Sequence, residues 1–253
     1  MDCYRYEEIN TSDNPMLKNV DLTIILVMEN SKRFRPCDFI LNLSKKTIIQ
    51  YNKGFKACKK PDCITKAPAD IIHAYYTAFS YCKNYDNVII LEEDAEILNN
   101  DLKHYKKIDS FIEKPFKILS FGTYGKFKKI NNDFYEVKTV HGSQAQIYSK
   151  SIREEMQKDF INNDFSGHID VTYMNDRAIV YNIPLIVQKL PETENFNNWD
   201  GPKFLHKLGI KTLNLDKKPE GWYILHLLSK LREYTVQFLI LLALIIFTVK
   251  YFN

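Results

Sequence analysis

Asn87-Val88-Ile89-Ile90-Leu91-Glu92-Glu93-Asp94-Ala95-Glu96 is the stretch that decides the fold. Its apolar run, rich in β-branched residues, predicts a central strand buried on both faces. The run then stops at three consecutive carboxylates. In open α/β sheets, ligands bind beyond the carboxyl ends of the strands. Glu92 and Asp94 are two positions apart, so in extended backbone they point the same way. Packed together without a counterion, they repel and raise one another's pKa. A divalent cation removes that cost, and Mg²⁺ or Mn²⁺ takes a carboxylate or two plus phosphate oxygens. The same pattern also fits a solvated acidic turn after a buried strand.

Working outward, Asp21 to Met28 predicts a first buried strand and Lys46 to Tyr51 a second. Pro68 opens a predicted helix running to Phe79, with apolar residues at helical spacing. Further strands are expected at Phe116 to Phe121, Tyr135 to Thr139, Ala145 to Tyr148 and Ile183 to Lys189, and a helix at Ser151 to Phe160. Helices alternating with apolar strands predict one α/β domain over residues 21–220, preceded by an extension at 1–20.

Composition narrows the class. The 253 residues are 45% hydrophobic and 26% charged, which excludes a disordered chain and a polytopic membrane protein. A net charge of +4 is too small to predict nucleic-acid binding. Five cysteines, Cys3, Cys37, Cys58, Cys63 and Cys82, are scattered over the first third. Cys58 and Cys63 lack a second pair to complete a zinc site, so free thiols in a reducing compartment are expected.

The C-terminus is apolar. Residues 234–252 contain the run Leu-Ile-Leu-Leu-Ala-Leu-Ile-Ile-Phe, with no polar face. A helix of that length spans about 28 Å, close to a bilayer core. The expectation is a single-pass C-terminal membrane anchor behind a basic juxtamembrane stretch at 221–233. No signal-peptide h-region is present at the N-terminus, so the domain is expected to face the cytosol.

Ile89-Ile90-Leu91-Glu92-Glu93-Asp94-Ala95 resembles the acidic D-x-D-type motif of GT-A glycosyltransferases, a Rossmann-like α/β fold. It is most similar to the form in the family of bacterial lipooligosaccharide and collagen galactosyltransferases. Two further blocks resemble that family in order: His141-Gly142-Ser143-Gln144-Ala145-Gln146-Ile147-Tyr148-Ser149 and Gly167-His168-Ile169-Asp170-Val171. A helix carrying Asp70-Ile71-Ile72-His73 precedes the acidic motif, as in the family. Two departures stand out: Glu93 replaces an Asp, and Met28-Glu29-Asn30-Ser31 replaces the usual start. The Lys-, Asn- and Ile-rich composition also resembles that of enzymes from large DNA viruses.

The resemblance implies a metal-dependent hexosyltransferase, inverting, moving a sugar from a UDP- or GDP-sugar to a hydroxyl of a glycan or glycoprotein. Glu92 and Asp94 are the implied ligands of Mn²⁺ or Mg²⁺. Met28, Glu29, Lys53, His73 and Glu93 are the candidate donor-binding residues. His141, Gly142, Gln144 and Trp199 are the candidates for the acceptor side. Asp170 is the candidate base, because an inverting base must approach from a different loop than the metal site, with Asp164 and Asp176 as alternatives. The rival expectation is a non-catalytic, tail-anchored protein that binds a sugar nucleotide or a glycan.

Overall fold

The computed structural model describes residues 2–31, 37–188 and 221–231. In chain order its strands are β1 (Tyr4–Thr11), β2 (Leu22–Met28), β3 (Lys46–Asn52), β4 (Asn87–Glu92), β5 (Ala95–Ile97) and β6 (Ile118–Ser120). There follow β7 (Tyr124–Lys129), β8 (Phe134–His141), β9 (Ala145–Ser149), β10 (Ala178–Tyr181) and β11 (Ile186–Gln188). The helices are α1 (Asp38–Leu41), α2 (Ala67–Tyr81), α3 (Leu102–Phe111), α4 (Lys150–Asn162) and α5 (Ile169–Tyr173). A last helix occupies residues 221–231.

Nine strands form one mixed sheet in the order β1-β3-β2-β4-β9-β6-β10-β8-β7, and β5 pairs with β11 in a separate ribbon. Strands β3, β2 and β4 are parallel, and β9 joins β4 antiparallel. The centre of the sheet is covered on both faces. Ile24, Leu26, Val88 and Ile90 point into one apolar cluster with Ile72, Tyr75 and Phe79 of α2 and Met156 of α4. Ile25, Val27, Ile89 and Leu91 point into the other, with Tyr105 and Ile108 of α3. Alternate side chains thus serve opposite cores, which is why β2 and β4 are apolar at successive positions rather than every second one. Val88, Ile89 and Ile90 are fully buried, each worth roughly 1.5–3 kcal/mol relative to an exposed side chain.

The expected α/β architecture is present, and the structure adds elements that periodicity did not give. Strand β1 forms inside the expected N-terminal extension and pairs antiparallel with β3 as the sheet edge. Helix α3 begins at the N-cap Asp101, whose side chain accepts from the Lys103 amide. The short strands β5, β7 and β10 carry too few residues, or too many lysines, to show a clear period.

Two expectations are corrected. Cys3 and Cys58 are joined in a disulfide, not free, whereas Cys37, Cys63 and Cys82 are free thiols. The pairing register explains this: Tyr4 opposes Asn52, so Cys3 lies beside Lys53, and the turn at Gly54 returns the chain to it. The membrane location is corrected too, because among the described residues no helix is long and apolar enough to cross a bilayer. The stretch at 234–252 lies outside the described residues. The helix at 221–231, expected as a juxtamembrane segment, docks on the sheet. Ser229 Oγ accepts from the Gly125 amide at 3.0 Å, Trp222 packs on Tyr124, and His226 packs edge-on against Phe127.

Candidate functional site

Parallel strands β2, β3 and β4 end side by side at Met28, Asn52 and Glu92, and a cavity of about 1300 Å³ opens above those ends. The sequence after each strand supplies a wall. Beyond β3 stand Lys53, Lys56 and Lys66; beyond β4 stand Glu92, Glu93 and Asp94; the β8–β9 turn gives His141 and Gly142; α5 gives Asp170. The cavity is therefore basic on one side and acidic on the other.

Glu92 is the most constrained of the acids. Ser143 Oγ donates to its Oε1 at 2.7 Å, and the Tyr75 hydroxyl lies 3.0 Å from the same oxygen. Tyr75 is fully buried on α2, and its hydroxyl is also 3.0 Å from the Ser143 carbonyl. Both hydroxyls thus meet one carboxylate oxygen. Burial, then the charges of Asp94 and Asp170, push Glu92 up to about 7 despite those hydrogen bonds. Burial and Asp170 likewise push the Tyr124 phenol, across the cavity wall, up to about 12. Glu92, Asp94 and Asp170 consequently share one electrostatic environment.

The other acids are each tied to a different element. Gln188 Nε2 at the end of β11 donates to Asp94 Oδ2 at 2.9 Å. The Met28 amide donates to Glu93 Oε2 at 3.0 Å, so Glu93 closes the end of β2. Asp170 Oδ2 accepts from the Gly142 amide at 2.9 Å and its Oδ1 from the Val171 amide at 2.8 Å. Gly142 takes φ +98°, a left-handed conformation that glycine permits, and this aims its amide at Asp170.

The structure brings together most of the residues expected from sequence. Met28, Lys53, Glu92, Glu93, Asp94, His141, Gly142 and Asp170 all line the cavity. His141 stacks on Tyr124 with centroids 5.2 Å apart. Three candidates face elsewhere. Glu29 is exposed, with its amide bonded to Asn52 O. Gln144 is buried, and its Nε2 donates to Gly122 O at 2.6 Å, bracing the wall from behind. His73 lies behind α2's cavity face, 2.7 Å from the Tyr4 hydroxyl through Nδ1. Burial and the neighbouring Lys60 push His73 down to about 4, so it is a neutral ring at ordinary pH. Trp199 lies outside the described residues.

Sequence reasoning missed Tyr75, Ser143, Gln188 and Asp70. Tyr75 and Ser143 sit within stretches already picked out, but neither residue type signals a carboxylate partner. Asp70, one turn before His73 on α2, lines the cavity and forms a buried ion pair with Lys60.

The donor set bears on a metal ion. Among the described residues no three His, Cys, Asp or Glu side chains converge into a protein-built cage. The raised Glu92 beside Asp94 is instead a two-carboxylate set of like charge, which fits a cation that completes its shell with phosphate oxygens.

No family model and no curated protein matches this sequence. Similar solved structures include A197 from STIV, 11% identical with a TM-score of 0.38, covering 69% of this chain and 96% of that one. UDP-glucose pyrophosphorylase complexed with UDP-glucose is 13% identical, with a TM-score of 0.36 and coverage of 71% and 84%. Mannose-1-phosphate geranyltransferase from Thermus thermophilus is 7% identical, with a TM-score of 0.32 and coverage of 64% and 73%. Likenesses this distant carry no conclusion about the chemistry of this chain.

Proposed function

We propose that the protein is a metal-dependent glycosyltransferase that uses a UDP- or GDP-sugar. The observation that carries this reading is the two-sided cavity at the ends of β2, β3 and β4, with lysines facing carboxylates. A nucleoside diphosphate sugar has matching parts: an anionic diphosphate, and a sugar whose hydroxyls favour carboxylate acceptors. In the reaction the acceptor oxygen bonds to the anomeric carbon while the bond from that carbon to the diphosphate breaks.

Glu92 and Asp94 would hold Mn²⁺ or Mg²⁺, and a bound cation supplies neutralisation of the charge gathering on the departing diphosphate. Tyr75 and Ser143 fix Glu92 through one oxygen, which leaves Oε2 for the ligand. Gln188 Nε2 holds Asp94 by a hydrogen bond to its Oδ2. Lys53, on the opposite wall, supplies positive charge toward the diphosphate. Asp170 takes the proton of the acceptor hydroxyl in an inverting transfer, and its two backbone donors set the direction of its carboxylate. His141 and Gly142 form the acceptor-side wall.

The rival reading is a binding protein that holds a sugar nucleotide or glycan without turnover. Release of nucleoside diphosphate from a panel of UDP- and GDP-sugars, with Mn²⁺ and acceptor glycans, separates the two. Steady release supports the enzyme; stoichiometric binding with no release supports the rival.

A further inference from the structure

The wall that carries Lys53, Lys56 and Lys66 is irregular chain between the end of β3 at Asn52 and the start of α2 at Ala67. Among the described residues, few backbone hydrogen bonds tie it to the rest of the fold. The Lys53 amide donates to Cys3 O at 3.1 Å, while the Ala57 and Cys58 amides fold back on Gly54 O within the turn. Beside the apolar anchors Phe55 and Ile64, two attachments among the described residues lie next to each other.

The first is the Cys3–Cys58 disulfide, which ties the wall to the outer end of edge strand β1. The second is Lys60, whose side chain is 1% exposed. Its ammonium donates to Tyr4 Oη at 2.8 Å, to Asn52 Oδ1 at 2.7 Å and to Asp70 Oδ1, so its three protons are all taken. Tyr4 adjoins Cys3 in sequence, and Lys60 is two residues from Cys58. Asp70 in turn faces the cavity, and Asn52 Oδ1 also accepts from the Gly54 amide at 2.8 Å.

Strand β1 is the edge of the sheet and pairs on one side only. Cutting the sulfur bridge frees Cys58 from β1, while Tyr4 stays paired with Asn52 and bonded to His73. Lys60 keeps its ion pair with the buried Asp70, so the freedom gained falls on the segment between Asn52 and Lys60, which carries Lys53 and Lys56. The two large apolar clusters on the sheet faces do not include this loop beyond Phe55 and Ile64, so they persist.

We propose that the Cys3–Cys58 disulfide is a redox latch that sets the position of the lysine-bearing wall and thereby the affinity of the cavity for an anionic ligand. A dithiol reductant opens it: the S–S bond takes two electrons and two protons, two thiols form, and the reductant becomes a disulfide. The affinity effect rests on the cavity being a nucleotide-sugar site; the movement of the wall does not.

The test uses the full chain with UDP and MnCl₂ as probe, oxidised and after dithiothreitol. Alkylation by mass verifies that Cys3 and Cys58 have become labelled beside the exposed thiols Cys37 and Cys63. UDP affinity falls about tenfold or more on reduction, recovers on reoxidation, and stays low in the Cys3→Ser, Cys58→Ser double variant, while a single cooperative melt is kept. Amide hydrogen exchange without ligand speeds up over residues 53–60 and stays slow over 87–92. Equal UDP affinity in both redox forms overturns the latch, as does global unfolding on reduction. If neither form binds UDP, the nucleotide-sugar reading fails. Hydrogen exchange then decides the latch alone, and unchanged exchange over 53–60 overturns it.

Discussion

The Gly142 amide donates a 2.9 Å hydrogen bond to Asp170 Oδ2, joining two sequence blocks 28 residues apart into one wall. Gly142 leaves β8 with positive φ, and Asp170 sits in the first turn of α5. The wall adjoins the acidic end of β4, because Ser143, next to Gly142, hydrogen-bonds Glu92. A carboxylate held in this way is directed by backbone, so its aim does not depend on a mobile partner.

Asp170→Asn keeps an oxygen acceptor for the Gly142 amide but removes the basic group. The expected outcome is a fall in the transfer rate of about 10²–10⁴-fold with donor affinity nearly unchanged. Single-turnover kinetics beside donor titration checks this. Loss of donor binding with a normal maximal rate would make Asp170 a binding residue.

Lys60 and Asp70 form an ion pair with side chains 1% and 8% exposed. Breaking a buried pair from one side leaves the other charge without compensation. Lys60→Met is therefore expected to cost roughly 3–5 kcal/mol in urea unfolding, and Asp70→Asn a similar amount. The double change should cost less than the two single changes added together. Strict additivity would mean that the two groups do not act as a pair.

Stability should also depend on pH through two histidines. His73 is pushed down to about 4 by burial and by Lys60; His226 is pushed down to about 3 by burial and by Lys230. Both folded values lie below the usual histidine value of about 6.5, so the unfolded chain takes up protons first as pH falls. Their contribution is present above about pH 6.5 and is lost as pH drops toward 4. His73 is only half-buried, and solvent screening limits its share to about 1–2 kcal/mol. Urea unfolding from pH 7 to pH 4.5 should show a steep loss that becomes shallower in His226→Phe. An identical slope in that variant would contradict the assignment.

The centre of the fold was legible because β2 and β4 are buried on both faces, which forces consecutive apolar residues into the sequence. The acidic end of β4 was legible for the complementary reason: carboxylates directly after such a strand must face a ligand or water. Strand β1 was not, because an edge strand buries little, and its pattern of Tyr, Arg and Glu shows no clear alternation. The disulfide depends on the β1–β3 register, which local sequence does not encode. Glu29 and His73 were expected at the site from their places after β2 and on α2. Glu29 is exposed, and His73 lies three positions past Asp70, on the side of the helix facing Tyr4 and Phe165. Tyr75, Ser143 and Gln188 were illegible because a hydroxyl or an amide marks a carboxylate support only once the partner is in view.

The most direct test is release of UDP or GDP from the matching sugar nucleotide by the wild-type protein and by Asp94→Asn, each with Mn²⁺ and with EDTA. Asp94 is held by Gln188 beside the raised Glu92, so removing its charge should leave the fold intact. The account predicts Mn²⁺-dependent release by the wild type, abolished by EDTA and reduced about 100-fold or more in Asp94→Asn, with both proteins melting at similar temperatures. Release at the wild-type rate by Asp94→Asn, or release indifferent to EDTA, would contradict it.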